Sequence, residues 1–315
     1  MIARALERMR VFHSPRYTAD IGDHVMPIRK FDLVREAIVV SGLAVTVHEP
    51  APVTDPDLLR VHSPEYVRAV ATGEPKALAE SQKFPWSSGL AGAVRHTNGG
   101  CVAALCAALE DGVAGNLASG FHHAHADHGE GFCTFNGLVV AAEHARAEGK
   151  IARALVVDLD LHYGNGTASL LASRPHLFQI SLYGNWYKDN KAHRDVDHEA
   201  APDTDNAWSA PIPNGTGGAG YLALVDEHVP RAIARSRPDV ILYQAGADPY
   251  REDPYSPLDM GLEDLHARDA RVFAMAKAAG VPVAWVLAGG YTKDISKVVA
   301  VHVNTARAAL EVFGG

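Results

Sequence analysis

Four short apolar runs dominate the pattern of the chain: ARALVVDLDL at 152–161, HLFQISLY at 176–183, DVILYQAG at 239–246 and VPVAWVLAGG at 281–290. Each is too short for a buried helix and rich in branched and aromatic residues, so each predicts a strand buried on both faces. RVFHS at 10–14 predicts a further strand. Apolar residues at helical spacing predict helices over 100–109, 138–148, 220–236, 262–279 and 293–313. Two-sided strands separated by helices imply an α/β fold: a central, mostly parallel sheet with helices on both faces. Nothing in the 315 residues reads as a linker, so a single domain over 1–315 is expected.

Ligands of such sheets bind beyond the carboxyl ends of the strands. The polar residues gather there: the runs end in DLDLHYGNG, AGADPY and AGGYT. Alternate residues of a strand share a face, so Asp158, Asp160 and His162 project together while Leu159 and Leu161 point away. Polar groups on a buried face need a partner. A divalent cation would supply it; a cap-and-turn cluster is the plainer reading. Asp248 adds a carboxylate from a second strand end, where a turn aspartate before Pro249 is again the alternative. Two carboxylates and an imidazole with one open position suit a catalytic Zn²⁺, and Mn²⁺ or Fe²⁺ would also match the donors.

The loop SGFHHAHADHGEGFC at 119–133 holds four histidines. Off a regular strand, His122 and His123 can both reach a metal-bound water and exchange its proton near neutral pH. Each needs an acceptor to fix its tautomer, and Asp158 and Asn165 are candidates. His125, Asp127, His128 and Glu130 are expected on a solvated loop edge with local hydrogen bonds, and Cys133 in packing.

Composition narrows the function. An apolar share of 47% with 21% charged residues fits a substantial core. Lys and Arg number 29 against 37 Asp and Glu, a net charge of −8, which gives nucleic-acid binding little support. The three cysteines form no CxxC pair and point to a reducing, cytoplasmic compartment. Arg4, Arg8 and Arg10 surround Glu7, and the start is read as mature protein. No apolar run approaches the ~20 residues of a membrane span. GTGGAG at 215–220 has the spacing of a dinucleotide fingerprint, but it follows SAPIPN, which does not read as a strand, so that reading fails its context. NGT at Asn165 and Asn214 lacks an accompanying secretory signal and reads as loop.

In chain order, FHHAHADHGEGFCTFN, VDLDLHYGNGTA, LYQAGAD and AGGY resemble the successive motifs of the zinc-dependent histone deacetylase family. VFHSPRY and VHSPEYVRAV resemble further family segments, so the likeness spans nearly the whole chain. The compact spacing is most similar to short class IV-like and bacterial members. The resemblance implies an arginase/deacetylase-like fold and Zn²⁺, with Fe²⁺ as a substitute, on Asp160, His162 and Asp248. It implies tandem histidines His122 and His123 oriented by Asp158 and Asn165, and a Tyr291 hydroxyl that polarises the acyl carbonyl. It further implies a structural K⁺ held through Asp158, Asp160, His162, Ser181 and Leu182. Gly131 and Phe132 would wall the substrate channel, with Gly289 and Gly290 also on the substrate.

The implied reaction is hydrolytic removal of an acetyl or longer acyl group from lysine in a protein or peptide, or from an acetylated amine such as a polyamine. The chain departs from the family where Ser119 and Gly120 replace two glycines. The acid that grips the substrate backbone has no clear counterpart, Glu74 being the nearest; Trp186 and Tyr187 are the candidates for the second channel aromatic. Arg29 and Lys30 are expected to be solvated rather than to face a product path. Two rivals stand beside this reading. One is an arginase-like ureohydrolase with paired Mn²⁺, whose aspartate-histidine-aspartate motif HAHAD resembles only superficially. The other is an acyl-lysine binding module without turnover.

Overall fold

The computed structural model describes residues 8–188, 191–193 and 203–314. Among the described residues, ten strands follow in chain order: β1 (Met9–Phe12), β2 (Val45–His48), β3 (Val113–Ser119), β4 (Ala154–Asp158), β5 (Leu177–Tyr183), β6 (Trp186–Lys188), β7 (Lys191–His193), β8 (Ala207–Pro211), β9 (Val240–Ala245) and β10 (Val283–Leu287). β6 and β7 pair as a separate antiparallel hairpin. The other eight form one sheet in the order β2-β1-β3-β10-β9-β4-β5-β8. Every neighbouring pair in it is parallel.

The four apolar runs become β4, β5, β9 and β10, each shorter than its run, and in β4 the carboxyl end from Leu159 onward has left the ladder. Helices Lys30–Val40, Ile295–Phe313, Leu262–Ala279 and Gly218–Ser236 pack in that sequence as one layer. Helices Ser88–Asp111, Gly137–Ala147 and Asn165–Leu171 form a second layer. Both faces of the sheet are covered, as expected for parallel strands. Among the described residues no helix is long and apolar enough to cross a membrane.

The pattern did not predict β3, because its sequence, VAGNLAS, has no apolar run. Packing explains this. Gly115 lies where a Cβ would overlap the indole of the fully buried Trp285 on β10. Asn116 is also fully buried; its amide donates to Thr97 O (3.1 Å) and accepts from the Tyr17 hydroxyl (2.8 Å). A small residue and a satisfied polar one stand where large apolar residues would have announced a strand.

β8 corrects another expectation. GTGGAG does follow a strand, at the sheet edge, and leads into helix Gly218–Ser236. The cofactor reading still fails on geometry, because a Cβ on Gly218 would overlap the Asp264 carboxylate. An acid therefore stands at the helix start where a phosphate would have to bind.

β3, β10, β9 and β4 are consecutive in the sheet. Their carboxyl ends run into His122 and His123, Tyr291, Asp248, and Asp160 with His162, respectively. Parallel pairing thus brings segments from four distant parts of the chain to one rim.

Candidate active site

Asp160, His162 and Asp248 are buried and each offers one donor atom within 4.8 Å of the others. It is the one such group of metal-ligating side chains among the described residues. His162 Nδ1 lies 3.2 Å from Asp160 Oδ1 and 3.1 Å from Asp248 Oδ2. Backbone amides aim the carboxylates: Gly289 N donates to Asp160 Oδ2 (2.8 Å), His162 N to Asp160 Oδ1 (2.9 Å) and Leu161 N to Asp248 Oδ1 (3.0 Å). A Cβ on Gly289 would overlap the Asp248 carboxylate, so only glycine allows this approach. Burial lowers the basicity of His162, but hydrogen bonds to Asp160 and Asp248 outweigh it and push the imidazole up to about 10. The pocket therefore favours positive charge between its carboxylates, and its nitrogen and oxygen donors fit a divalent cation.

The histidine pair borders this group, with ring centroids 4.0 Å apart. His122 Nδ1 donates to Asp158 Oδ2 at 2.7 Å and His123 Nδ1 donates to Asn165 Oδ1 at 2.6 Å. Asn165 Nδ2 in turn donates to Glu130 Oε2 at 2.5 Å. A carboxylate only accepts, so Glu130 fixes which way the Asn165 amide faces and places the His123 proton on Nδ1. That leaves His123 Nε2 as an acceptor. The two rings also differ in charge preference. Burial depresses His122, but Asp158 and Asp160 more than offset it and raise the imidazole. Burial and the neighbouring His122 hold His123 well below the usual range.

Glu130 thus corrects an expectation: it is buried, at 8% exposure, and holds both Asn165 and His125 Nε2 (3.2 Å). His125 is half-buried and accepts from or donates to Ser169 Oγ at 2.7 Å. His128 and Asp127 do form the exposed, locally bonded edge, 2.7 Å apart. Cys133 is packed, its thiol held up by burial.

Tyr291 is partly buried, and its ring stands edge-on to His162 (6.4 Å, 83°). Its backbone N–H donates to Asp253 Oδ2 at 2.6 Å. Burial and then the charge of Asp248 hold its hydroxyl well above the ordinary tyrosine range, so it stays a proton donor. The pocket between the metal group and Tyr291 is lined by His122, His123, Gly131, Phe132, Gly289 and Lys30, among others. Gly289 spends its N–H on Asp160 and its carbonyl on Lys30. Gly290, at φ +119°, turns the chain toward Tyr291.

Lys30 is a second correction. It is fully buried, donates to Ala288 O (2.6 Å) and Gly289 O (3.1 Å), and lies 5.8 Å from the Tyr291 ring. Burial lowers its ammonium to about 8. Arg29, its neighbour, is exposed, as expected. Glu74 is exposed on the turn after helix Pro64–Thr72 and does not line the pocket. Trp186 stacks on Tyr163 (5.4 Å, 17°), whereas the Tyr187 side chain lies outside the described residues. The aromatic that does flank the site is Tyr255, 5.3 Å from Tyr291 and 6.1 Å from His162. At the expected K⁺ position, Asp158 is the register partner of Ser181, next to the buried Leu182.

The histidine loop is pinned from below by His62. Asn136 N donates to His62 Nε2 (3.1 Å), so Nδ1 carries the proton and donates to His125 O (2.8 Å). Burial lowers this imidazole to about 4. The folded value lies below the unfolded one near 6.5, so its contribution is present above about pH 6.5 and is lost as pH falls toward about 4. At ~1.4 kcal/mol per pKa unit the full loss is on the order of 3 kcal/mol. The stability advantage of the wild type over His62→Gln should therefore shrink between about pH 7 and about pH 4.5. Urea midpoints of both proteins at the two pH values check this, and an advantage that stays constant would refute it.

Fold and site together define a class: a parallel α/β protein whose sheet carries, at its carboxyl rim, a histidine pair beside a cradle for one cation. The description "Histone deacetylase domain" matches residues 24–306, and the chain belongs to that family. It is a hydrolase acting on amide bonds. An uncharacterized protein of Picosynechococcus is 32% identical over 96% of this chain and 98% of its own length. A histone deacetylase-like amidohydrolase of Pseudomonas aeruginosa is 30% identical over 82% of this chain and 70% of its own. Among solved structures, the HDA15 HD domain has a TM-score of 0.78 at 23% identity, over 98% of this chain and 90% of that one. The acetylpolyamine aminohydrolase of Burkholderia pseudomallei has a TM-score of 0.75 at 20% identity, over 96% and 99%. Both likenesses speak for the fold.

Proposed function

We propose that the protein removes acetyl or longer acyl groups from lysine side chains, or from a related amine, using one Zn²⁺ held by Asp160, His162 and Asp248. Fe²⁺ would suit the same donors. The observation that carries the reading is the convergence of this buried donor set, the oriented histidine pair and Tyr291 on one pocket. When bound, the cation supplies Lewis-acid polarisation and a more acidic water.

This chain's own groups would do the rest. His123 Nε2, held by Asn165 and Glu130, accepts the proton of the attacking water. The Tyr291 hydroxyl donates to the acyl oxygen, where negative charge develops. His122, whose imidazole Asp158 raises and orients, and His123 return a proton to the leaving nitrogen. Phe132 and Gly131 flank the acyl channel. A K⁺ between Asp158, Asp160 and His162 on one side and Ser181 and Leu182 on the other is supported by the β4–β5 register. Three free cysteines support a cytoplasmic setting.

Lys30 puts a buried positive charge on the pocket wall, suited to the carboxylate product. Lys30→Met should weaken inhibition by added acetate about tenfold while KM for the amide changes little; equal inhibition constants would remove Lys30 from this role. The arginase-like rival needs ligands for a second metal, and the described residues hold a single group of three metal-ligating side chains. A panel of acetyl-lysine peptides, longer acyl-lysine peptides and acetylpolyamines, assayed with zinc-loaded protein, tests the function. Acid release from at least one class is expected, and binding without release from all of them would favour the binding-module reading.

A further inference from the structure

We infer that Arg268 is a positioning residue for the cation site, an internal clamp that sets the spacing of the two segments bearing Asp160 and Asp248; this rests on the metal reading above. Arg268 lies in helix Leu262–Ala279 and has no exposure. Its Nη1 donates to Leu159 O (3.1 Å) and Gly246 O (2.8 Å).

Those carbonyls mark the places where β4 and β9 have just left the sheet, since the strands end at Asp158 and Ala245. A carbonyl beyond the ladder has no strand partner and must find another donor. The Leu159 carbonyl belongs to the peptide that enters Asp160, and Gly246 precedes Asp248 by two residues. One planar guanidinium therefore grips both ligand segments at a single nitrogen, where two ligand carboxylates must be kept a few ångströms apart.

The clamp is itself held. Arg268 Nε and Nη2 each lie 2.8 Å from Asp269 Oδ1. Asp269 also accepts from the Tyr243 hydroxyl on Oδ1 and the Thr305 hydroxyl on Oδ2, both at 2.5 Å. Tyr243 stands on β9 and Thr305 on helix Ile295–Phe313, so the pair is anchored to the sheet and to a neighbouring helix. Burying a guanidinium is costly, and apolar packing would stabilise a helix-to-sheet contact at least as well. Positioning of the metal loops accounts for that cost. None of these groups touches the reacting atoms, so Arg268 acts through Asp160 and Asp248.

The test measures zinc affinity by competition with a chromophoric chelator, and the absorption spectrum of the Co²⁺-substituted protein, for wild type, Arg268→Met and Arg268→Lys. Thermal unfolding of each metal-free protein serves as the check on folding. The expected result is that Arg268→Met binds zinc about ten- to a hundredfold more weakly with an altered Co²⁺ spectrum, while Arg268→Lys recovers part of both. A folded Arg268→Met with wild-type affinity and spectrum would overturn the inference and leave the metal reading intact. Wild-type protein that binds no zinc would overturn both. Should Arg268→Met fail to fold, Tyr243→Phe, which loosens Asp269 and leaves the guanidinium in place, decides by the same readouts: weakened binding supports the clamp and unchanged binding overturns it.

Discussion

Tyr291→Phe should lower kcat by about a hundredfold to a thousandfold, because it removes one donor to the developing oxyanion. KM should change far less, since the lost bond strengthens only as the carbonyl oxygen gains charge. His123→Ala should cost about a hundredfold to ten thousandfold by removing the base whose tautomer Asn165 and Glu130 set. The fold should survive both changes: Tyr291 is partly buried at the rim, and His123 lies in a loop whose backbone is held elsewhere, by Ala124 N to Phe121 O and Thr167 N to His122 O. Steady-state rates on an acyl-lysine peptide, with circular dichroism as the check on folding, test the pair. Near wild-type turnover in both variants would end the assignment of roles.

Removing the metal should have the other large effect. Chelation should abolish turnover, and added Zn²⁺ should restore it. It should also destabilise the fold, because a ligand at a hundredfold excess over its Kd contributes about 2.7 kcal/mol to the folded state. Without the cation, Asp160 and Asp248 remain buried on either side of His162, and only the charge of that imidazole offsets theirs. Asp248→Ala should abolish both the activity and the chelator-dependent fall in Tm. If chelator shifted the Tm of Asp248→Ala as much as that of wild type, the cation would be bound elsewhere.

The sequence made the middle of the sheet and its chemistry legible for one physical reason. β4, β5, β9 and β10 are buried on both faces, so their apolar runs stand out and the polar residues that end them stand out as well. Asp160, His162, Asp248 and Tyr291 can each be read this way, His122 and His123 instead from the crowding of histidines in their loop, and the structure brings all six to one rim. β3 was hidden because Gly115 makes room for Trp285 and Asn116 pairs with Tyr17 and Thr97. Helix Ser88–Asp111 was read only over its later half, since the glycines in its first part weaken the helical pattern.

The supporting charges were hidden for a different reason. Lys30 meets its carbonyl partners 258 and 259 residues away, and Arg268 meets Leu159 across 109. Nothing local distinguishes a buried charge with distant partners from a solvated one, so the sequence places both Lys30 and Glu130 in water. Glu130 had a weak signal, since an acid within a histidine-rich loop can orient an amide or an imidazole. Tyr255 had none beyond its place after Asp248 and Asp253.

The most direct test of the central claim is to measure metal content and carboxylic acid release together, on one preparation and one acyl-lysine peptide. One Zn²⁺ per chain is expected, with acid release that disappears with chelator and returns with zinc. Two Mn²⁺ per chain, or acid release that persists after the metal is gone, would contradict it.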